Sequence, residues 1–183
     1  EWNNELVIGF GGGTNKIQTM TTAELFTAAT DAVYAAYFAV VQDKLWRATN
    51  TNEVSNIGFT SGAPDNPRTL SLWSGAITVG DDDIPITDLN GYGEQLAVSK
   101  EDGLYLGDVN AIFPNVLPQM ISRRDGDNGK RTLSQSSDIY YPHSKGLLRY
   151  TLGISQEVGP QLAYTKAALS DATYRAVNPR ISC

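Results

Sequence analysis

The stretch AVSKEDGLYLGD, residues 97–108, sets two acids and a glycine, Glu101-Asp102-Gly103, between two short apolar runs. Two readings compete for it. Carboxylate oxygens around a glycine turn suit a calcium ion or a sugar. The same residues suit the tight bend of an antiparallel hairpin, because glycine and aspartate reverse the chain between apolar segments. Recurrence separates the two.

The pattern recurs. Residues 30–49 read TDAVYAAYFAVVQDKLWRAT, residues 87–108 read TDLNGYGEQLAVSKEDGLYLGD, and residues 132–151 read TLSQSSDIYYPHSKGLLRYT. Each holds an apolar run (Phe38–Val41, Leu96–Ser99, Ile139–Tyr141), a polar turn, and then Leu45-Trp46, Leu104-Tyr105 or Leu147-Leu148. The leucines follow one another at intervals of 59 and 43 residues. The loop Asn50–Arg68, with GFTSGAPDNP, accounts for the longer interval. The turns aligned with Glu101-Asp102-Gly103 are Gln42-Asp43-Lys44 and Ser144-Lys145-Gly146. A metal site does not change composition so freely among equivalent turns of one chain, so the hairpin reading wins. A weaker fourth copy, ELVIGFGGGTNKIQTM at residues 5–20, fits a hairpin around its glycines.

Repeats of about 40–50 residues with several strands each point to β-propeller blades. The expected fold class is all-β: propeller-type blades of short antiparallel strands, part of a larger propeller, since three or so copies do not close a ring. The chain 1–183 forms one β-rich domain or propeller segment, with blade-like repeats near 30–75, 85–120 and 131–161. The second strand of each blade is expected at Tyr37–Val41, Gln95–Ser99 and Asp138–Tyr141. The third is expected at Leu45–Thr49, Leu104–Gly107 and Leu147–Thr151. Outer strands are expected at Thr69–Trp73, Val116–Gln119 and Glu157–Gln161. A helix competes over residues 22–41, where Thr21-x-x-Glu24 makes a capping-box pattern ahead of an alanine-rich run. The repeat favours strand from residue 30 onward, because the matching segments carry Gly91, Gly93 and Pro142, while 22–29 stays open. The tail QLAYTKAALSDATYRAV suits a short helix leaving the sheet.

Composition agrees with this. The 183 residues are 41% hydrophobic and 19% charged, with 17 glycines, a mix suited to strands and turns around a sizeable core. A net charge of −6 argues against a nucleic-acid surface, which needs clustered Lys and Arg. No apolar run is long enough to span a bilayer, and no signal-peptide pattern opens the chain. The single cysteine, Cys183, cannot form an internal disulfide. A start at Glu1 without methionine suits a processed or partial chain.

The segments EDGLYLGDVNAIFPNVLPQ, RRDGDNGK, IYYPHSKGLLRY and EVGPQ, in this order, resemble blade sequences of β-propeller structural proteins of tailed bacteriophages. The resemblance is good over residues 85–160 and loose over 30–84. It implies a non-enzymatic virion protein, tail-associated, serving assembly or host adhesion, with other virion subunits or a host surface receptor as partners. It carries over no catalytic residue. The alternative is a secreted carbohydrate-binding or glycoside-cleaving propeller domain.

Candidate chemistry is sparse. Asp125, Asp127 and Asn128, in DGDNG, resemble the start of a calcium loop, but Lys130-Arg131 follow where a bidentate acid belongs. Asp81-Asp82-Asp83 offers oxygens yet reads as an exposed loop. His143, the only histidine, has neither a nucleophile elbow nor metal partners. Gly9–Lys16 fails both phosphate-loop templates. Ser99–Tyr105 echoes the Asp-box turn of sialidase-like propellers but departs in spacing and lacks its Thr-Trp. Trp73, Tyr92 and Tyr140 are candidates for stacking on sugar rings, if they stand on loops rather than in the core. No cofactor is expected.

Overall fold

A computed structural model of the chain describes residues 2–11, 15–49, 53–60, 63–110, 119–122, 133–135, 138–143, 146–151 and 154–157. These residues form strands and one 3₁₀ turn, Leu70–Leu72, and all strand pairs are antiparallel. The first sheet has three strands, β1 (Leu6–Ile8), β2 (Gln18–Met20) and β3 (Phe26–Ala28). The second joins β4 (Tyr37–Val41), β5 (Lys44–Ala48), β6 (Glu53–Ile57) and β9 (Ile77–Thr78). A small hairpin, β7 (Phe59–Thr60) with β8 (Ala63–Pro64), interrupts it. The third holds β10 (Ile86–Tyr92), β11 (Gln95–Lys100), β12 (Leu104–Asp108) and β13 (Gln119–Ser122). The fourth holds β14 (Leu133–Gln135), β15 (Asp138–His143), β16 (Gly146–Thr151) and β17 (Ile154–Glu157).

Local chemistry explains the hairpins. Val41 pairs with Lys44, and Tyr92 with Gln95, so each turn has two residues. Gln42 and Gly93 take φ of 52° and 59°, the left-handed geometry whose twist matches that of the strands. Trp2 and Glu5 close a turn of the same kind over Asn3 and Asn4, at φ 51° and 58°.

The sheets stack face to face, which decides the core. Neighbouring residues of a strand point to opposite faces. In β5, Leu45 joins a buried cluster with Ile17, Val33 and Trp73, shared with the first sheet, while Trp46 joins one with Leu89, Val98 and Tyr105, shared with the third. In β11 and β12, Ala97 and Leu104 pack with Ile139, Leu148 and Tyr150 of the fourth sheet. Both faces of the middle sheets are therefore buried, and their strands read as apolar runs rather than strict alternations. The first strands of the last three sheets lie side by side, β4 against β10 and β10 against β14.

Several sequence expectations need correction. Tyr37–Val41 is the first strand of its sheet, whereas Gln95–Lys100 and Asp138–His143 are the second of theirs. The first repeat therefore stands one strand out of step with the other two. Leu45-Trp46 and Leu104-Tyr105 each put buried side chains on both faces of a strand, so they match in composition without being equivalent. Gln42-Asp43 corresponds to Gly93-Glu94, and not to the EDG turn. Thr69–Trp73 is no outer strand; it carries the 3₁₀ turn, and Ile77–Thr78 holds the edge. The capping-box pattern starts no helix: Glu24, at φ 58°, closes the β2–β3 turn, its N–H donating to Thr21 O at 2.9 Å. The expected tail helix lies outside the described residues, as does most of the Val116–Gln119 strand.

Candidate functional site

The EDG turn is a tight bend: Lys100 N–H donates to Gly103 O at 3.0 Å. The chemistry lies around it. Along β11, Leu96, Val98 and Lys100 share one face, and Lys100 follows the two apolar residues into the interior, where its side chain is fully buried. Its Nζ donates to Val79 O at 2.7 Å and Asp81 O at 2.6 Å, the backbone that links the second sheet to the third. The ammonium stands 5.7 Å from the centre of the Tyr105 ring. Tyr105 Oη donates to Asp102 Oδ2 at 2.8 Å. Gly80, at φ 66°, lets the linker pass beneath: a Cβ there would lie 2.5 Å from Tyr105 Oη.

Burial lowers the Lys100 pKa below its usual 10.5, and it outweighs the opposing pull of Asp102, Asp81 and Asp82. The amine is held by carbonyls and closed in by the core. This arrangement clasps two sheets together; it does not present a nucleophile. Asp81, Asp82, Asp83 and Glu101 remain exposed beside the joint. Asp83 N–H donates to Asp81 Oδ1 at 3.1 Å, a local Asx turn. Among the described residues no group of three or more His, Cys, Asp or Glu could hold a metal ion.

A second, half-buried cation marks the preceding joint. Arg47 lies over the Trp73 ring, 4.7 Å from its centre, and donates to Ser55 Oγ at 2.9 Å and Tyr34 O at 2.8 Å. Burial lowers its pKa below the usual guanidinium range. Trp73 is itself buried, with Nε1 donating to Pro67 O at 2.9 Å, so one ring face is already taken by Arg47 and the residue serves the core.

The other sequence candidates do not converge. Tyr92 is half-buried and meets Tyr150 edge-to-face at 5.7 Å, inside the joint of the third and fourth sheets. Tyr140 is half-buried on the fourth sheet, its Oη 3.4 Å from Asp138 Oδ2. Asp125, Asp127 and Asn128 lie outside the described residues. The backbone of His143 ends β15, opposite Gly146. Sequence reasoning missed Lys100 and Arg47. The available signal was parity: a lysine in step with Leu96 and Val98 is directed at the core.

No protein-family model matches the chain, and no curated protein matches it by sequence. Solved structures do match in fold. PorZ, an essential bacterial surface component of the type-IX secretion system of Porphyromonas gingivalis, aligns over 84% of the chain at 15% identity and a TM-score of 0.56. The extracellular domain of the putative hybrid two component system BT4673 from B. thetaiotaomicron aligns over 89% at 13% identity and a TM-score of 0.59. The computationally designed Ika8 protein aligns over 88% at 9% identity and a TM-score of 0.54. The chain spans 19% of the PorZ chain, 21% of the BT4673 chain and 48% of the Ika8 chain. At these identities the likeness concerns the fold alone. Among the described residues no helix is long and apolar enough to cross a membrane.

Proposed function

We propose that the chain is a run of β-propeller blades serving as a non-enzymatic interaction scaffold on a surface outside the cytoplasm. One observation carries this reading: successive antiparallel sheets stack face to face with the first strands β4, β10 and β14 side by side, as blades do around an axis. The cations of the joints support a structural role, since buried Lys100 and half-buried Arg47 are spent on backbone carbonyls, a serine hydroxyl and an aromatic ring. Contacts would be made by exposed loops at the sheet ends, where Asp81–Asp83 and Glu101 give an acidic rim. The bacterial surface and extracellular settings of PorZ and BT4673 support the location by analogy of fold.

A virion tail is the second reading, favoured by the order of the phage-like motifs between residues 85 and 160. A secreted glycan-binding propeller is weaker, because two of its aromatic candidates, Trp73 and Tyr92, sit in sheet joints. Electron microscopy of the intact polypeptide tests the architecture: sheets radiating from an axis are expected, and a flat sandwich or an open solenoid would overturn it. A glycan array with a hydrolysis assay tests the role, and cleavage of any glycan would sink the scaffold reading.

A further inference from the structure

The strands β6 and β9 pair directly, Val54 opposite Ile77. A hairpin between them needs about two to five residues. The chain runs through residues 58–76 instead, with the hairpin β7–β8 and the 3₁₀ turn on the way. The excursion is tied back at both ends. Asp65 N–H donates to Gly58 O at 3.0 Å, and Ser74 N–H donates to Asn56 O at 2.8 Å, while Ser74 Oγ accepts from Asn56 N–H at 3.0 Å. Between these ties the backbone winds tightly. Asn66 Oδ1 accepts from Arg68 N–H at 2.9 Å, Asn66 O accepts from Thr69 N–H at 3.1 Å, and Leu70 O accepts from Trp73 N–H at 3.1 Å. Pro67 fixes its own φ inside the first of these turns.

This shaped segment reaches across to the first sheet. Trp2 Nε1 donates to Asp65 O at 2.9 Å. Arg68 Nη1 donates to Thr19 Oγ1 at 2.9 Å, and Thr19 is fully buried in the middle of β2. Asp31, on the link from β3 to β4, accepts from Leu70 N–H through Oδ2 at 2.7 Å. Arg68 and Asp31 bring charge to two of these contacts, which strengthens them over neutral hydrogen bonds. Trp73 packs in the joint itself, in one buried cluster with Trp2, Ile17, Ala29 and Leu45. Arg47 of the second sheet lies on its ring. The first sheet needs such support: its strands have three residues each, and so small a sheet is marginal without packing.

We propose that residues 65–74 are a strap that locks the first sheet onto the second, and that releasing the strap lets the first sheet open as one unit. The joint of the second and third sheets has fastenings of its own. Lys100 Nζ holds Val79 O and Asp81 O, and Lys44 Nζ donates to Val109 O at 2.8 Å. None of these groups touches the strap, so that joint stays closed when the strap lets go. Contiguous units that open separately are the usual form of motion below global unfolding. The contacts at Trp2, Thr19 and Asp31 fall on three separate stretches of the N-terminal part, so one loop controls the mobility of all three.

Hydrogen exchange followed residue by residue on the 183-residue chain separates the two joints. The amides of Ile17 and Ala29, which donate to Val33 O and Ile17 O at 2.9 Å, report on the first sheet. The amides of β11 and β12 report on the third. Arg68→Met and Asp31→Ala are each expected to speed exchange at Ile17 and Ala29 by about tenfold or more, with strand circular dichroism kept and exchange in β11 and β12 unchanged. Asp31→Asn keeps an acceptor oxygen and should recover most of the lost protection. Equal acceleration in the first and third sheets would be a general loss of stability and would overturn the strap. Unchanged exchange at Ile17 and Ala29 in both Arg68→Met and Asp31→Ala would overturn it as well.

Discussion

Replacing Lys100 by methionine tests whether the buried ammonium clasps the second and third sheets. Lys100→Met keeps the length of the side chain and removes the charge with both hydrogen bonds. The Val79 residue is fully buried, so its carbonyl loses its donor without water to replace it; Asp81 is exposed, and its carbonyl can recruit water. One orphaned buried carbonyl costs about 1–3 kcal/mol. Relief of the lysine's burial penalty offsets part of this, so a net loss of about 1–2 kcal/mol is expected. In a chain of this size that lowers Tm by roughly 2–4 °C for each kcal/mol. Urea unfolding followed by tryptophan fluorescence gives the free energy directly. The variant should also differ in its response to pH. The folded chain holds the Lys100 proton less tightly than the unfolded chain. Between the lowered value and 10.5 the unfolded state binds more protons, so stability rises with pH across that window, and Lys100→Met should flatten the rise. A variant as stable as the parent, or more stable, would refute the clasp.

Gly80→Ala should lose at least about 1–2 kcal/mol by urea unfolding, because φ is 66° and the new methyl would meet Tyr105 Oη. Trp46→Ala, at a fully buried position between the second and third sheets, should cost about 3–5 kcal/mol and broaden the thermal transition. Asp138→Asn probes the fourth sheet. Hydrogen bonds from Thr151 and then Arg149 hold the Asp138 carboxyl below its usual 3.8. Its contribution is complete above 3.8 and is lost as pH falls through the lowered value, so the variant should show a shallower acid limb in a pH titration of stability.

What the sequence determined by itself was the class and the punctuation. Short apolar runs between glycine, asparagine and aspartate turns specify antiparallel strands, and the strands expected at Tyr37–Val41, Gln95–Ser99 and Leu104–Gly107 match β4, β11 and β12 within a residue. These are local matters, set by backbone geometry at a few turn residues. Strand register within the repeat was not local. Trp46 and Tyr105 belong to the same buried cluster, yet one lies on the second strand of its sheet and the other on the third. A strand buried on both faces has lost the alternation that would have told them apart. The site was hidden for a related reason. EDG reads correctly as a turn, while Lys100, one residue earlier, reads as the polar end of a strand. Only the stacking of the sheets turns that lysine inward onto Val79 and Asp81, since its partners lie 19 and 21 residues away and meet it through packing rather than spacing.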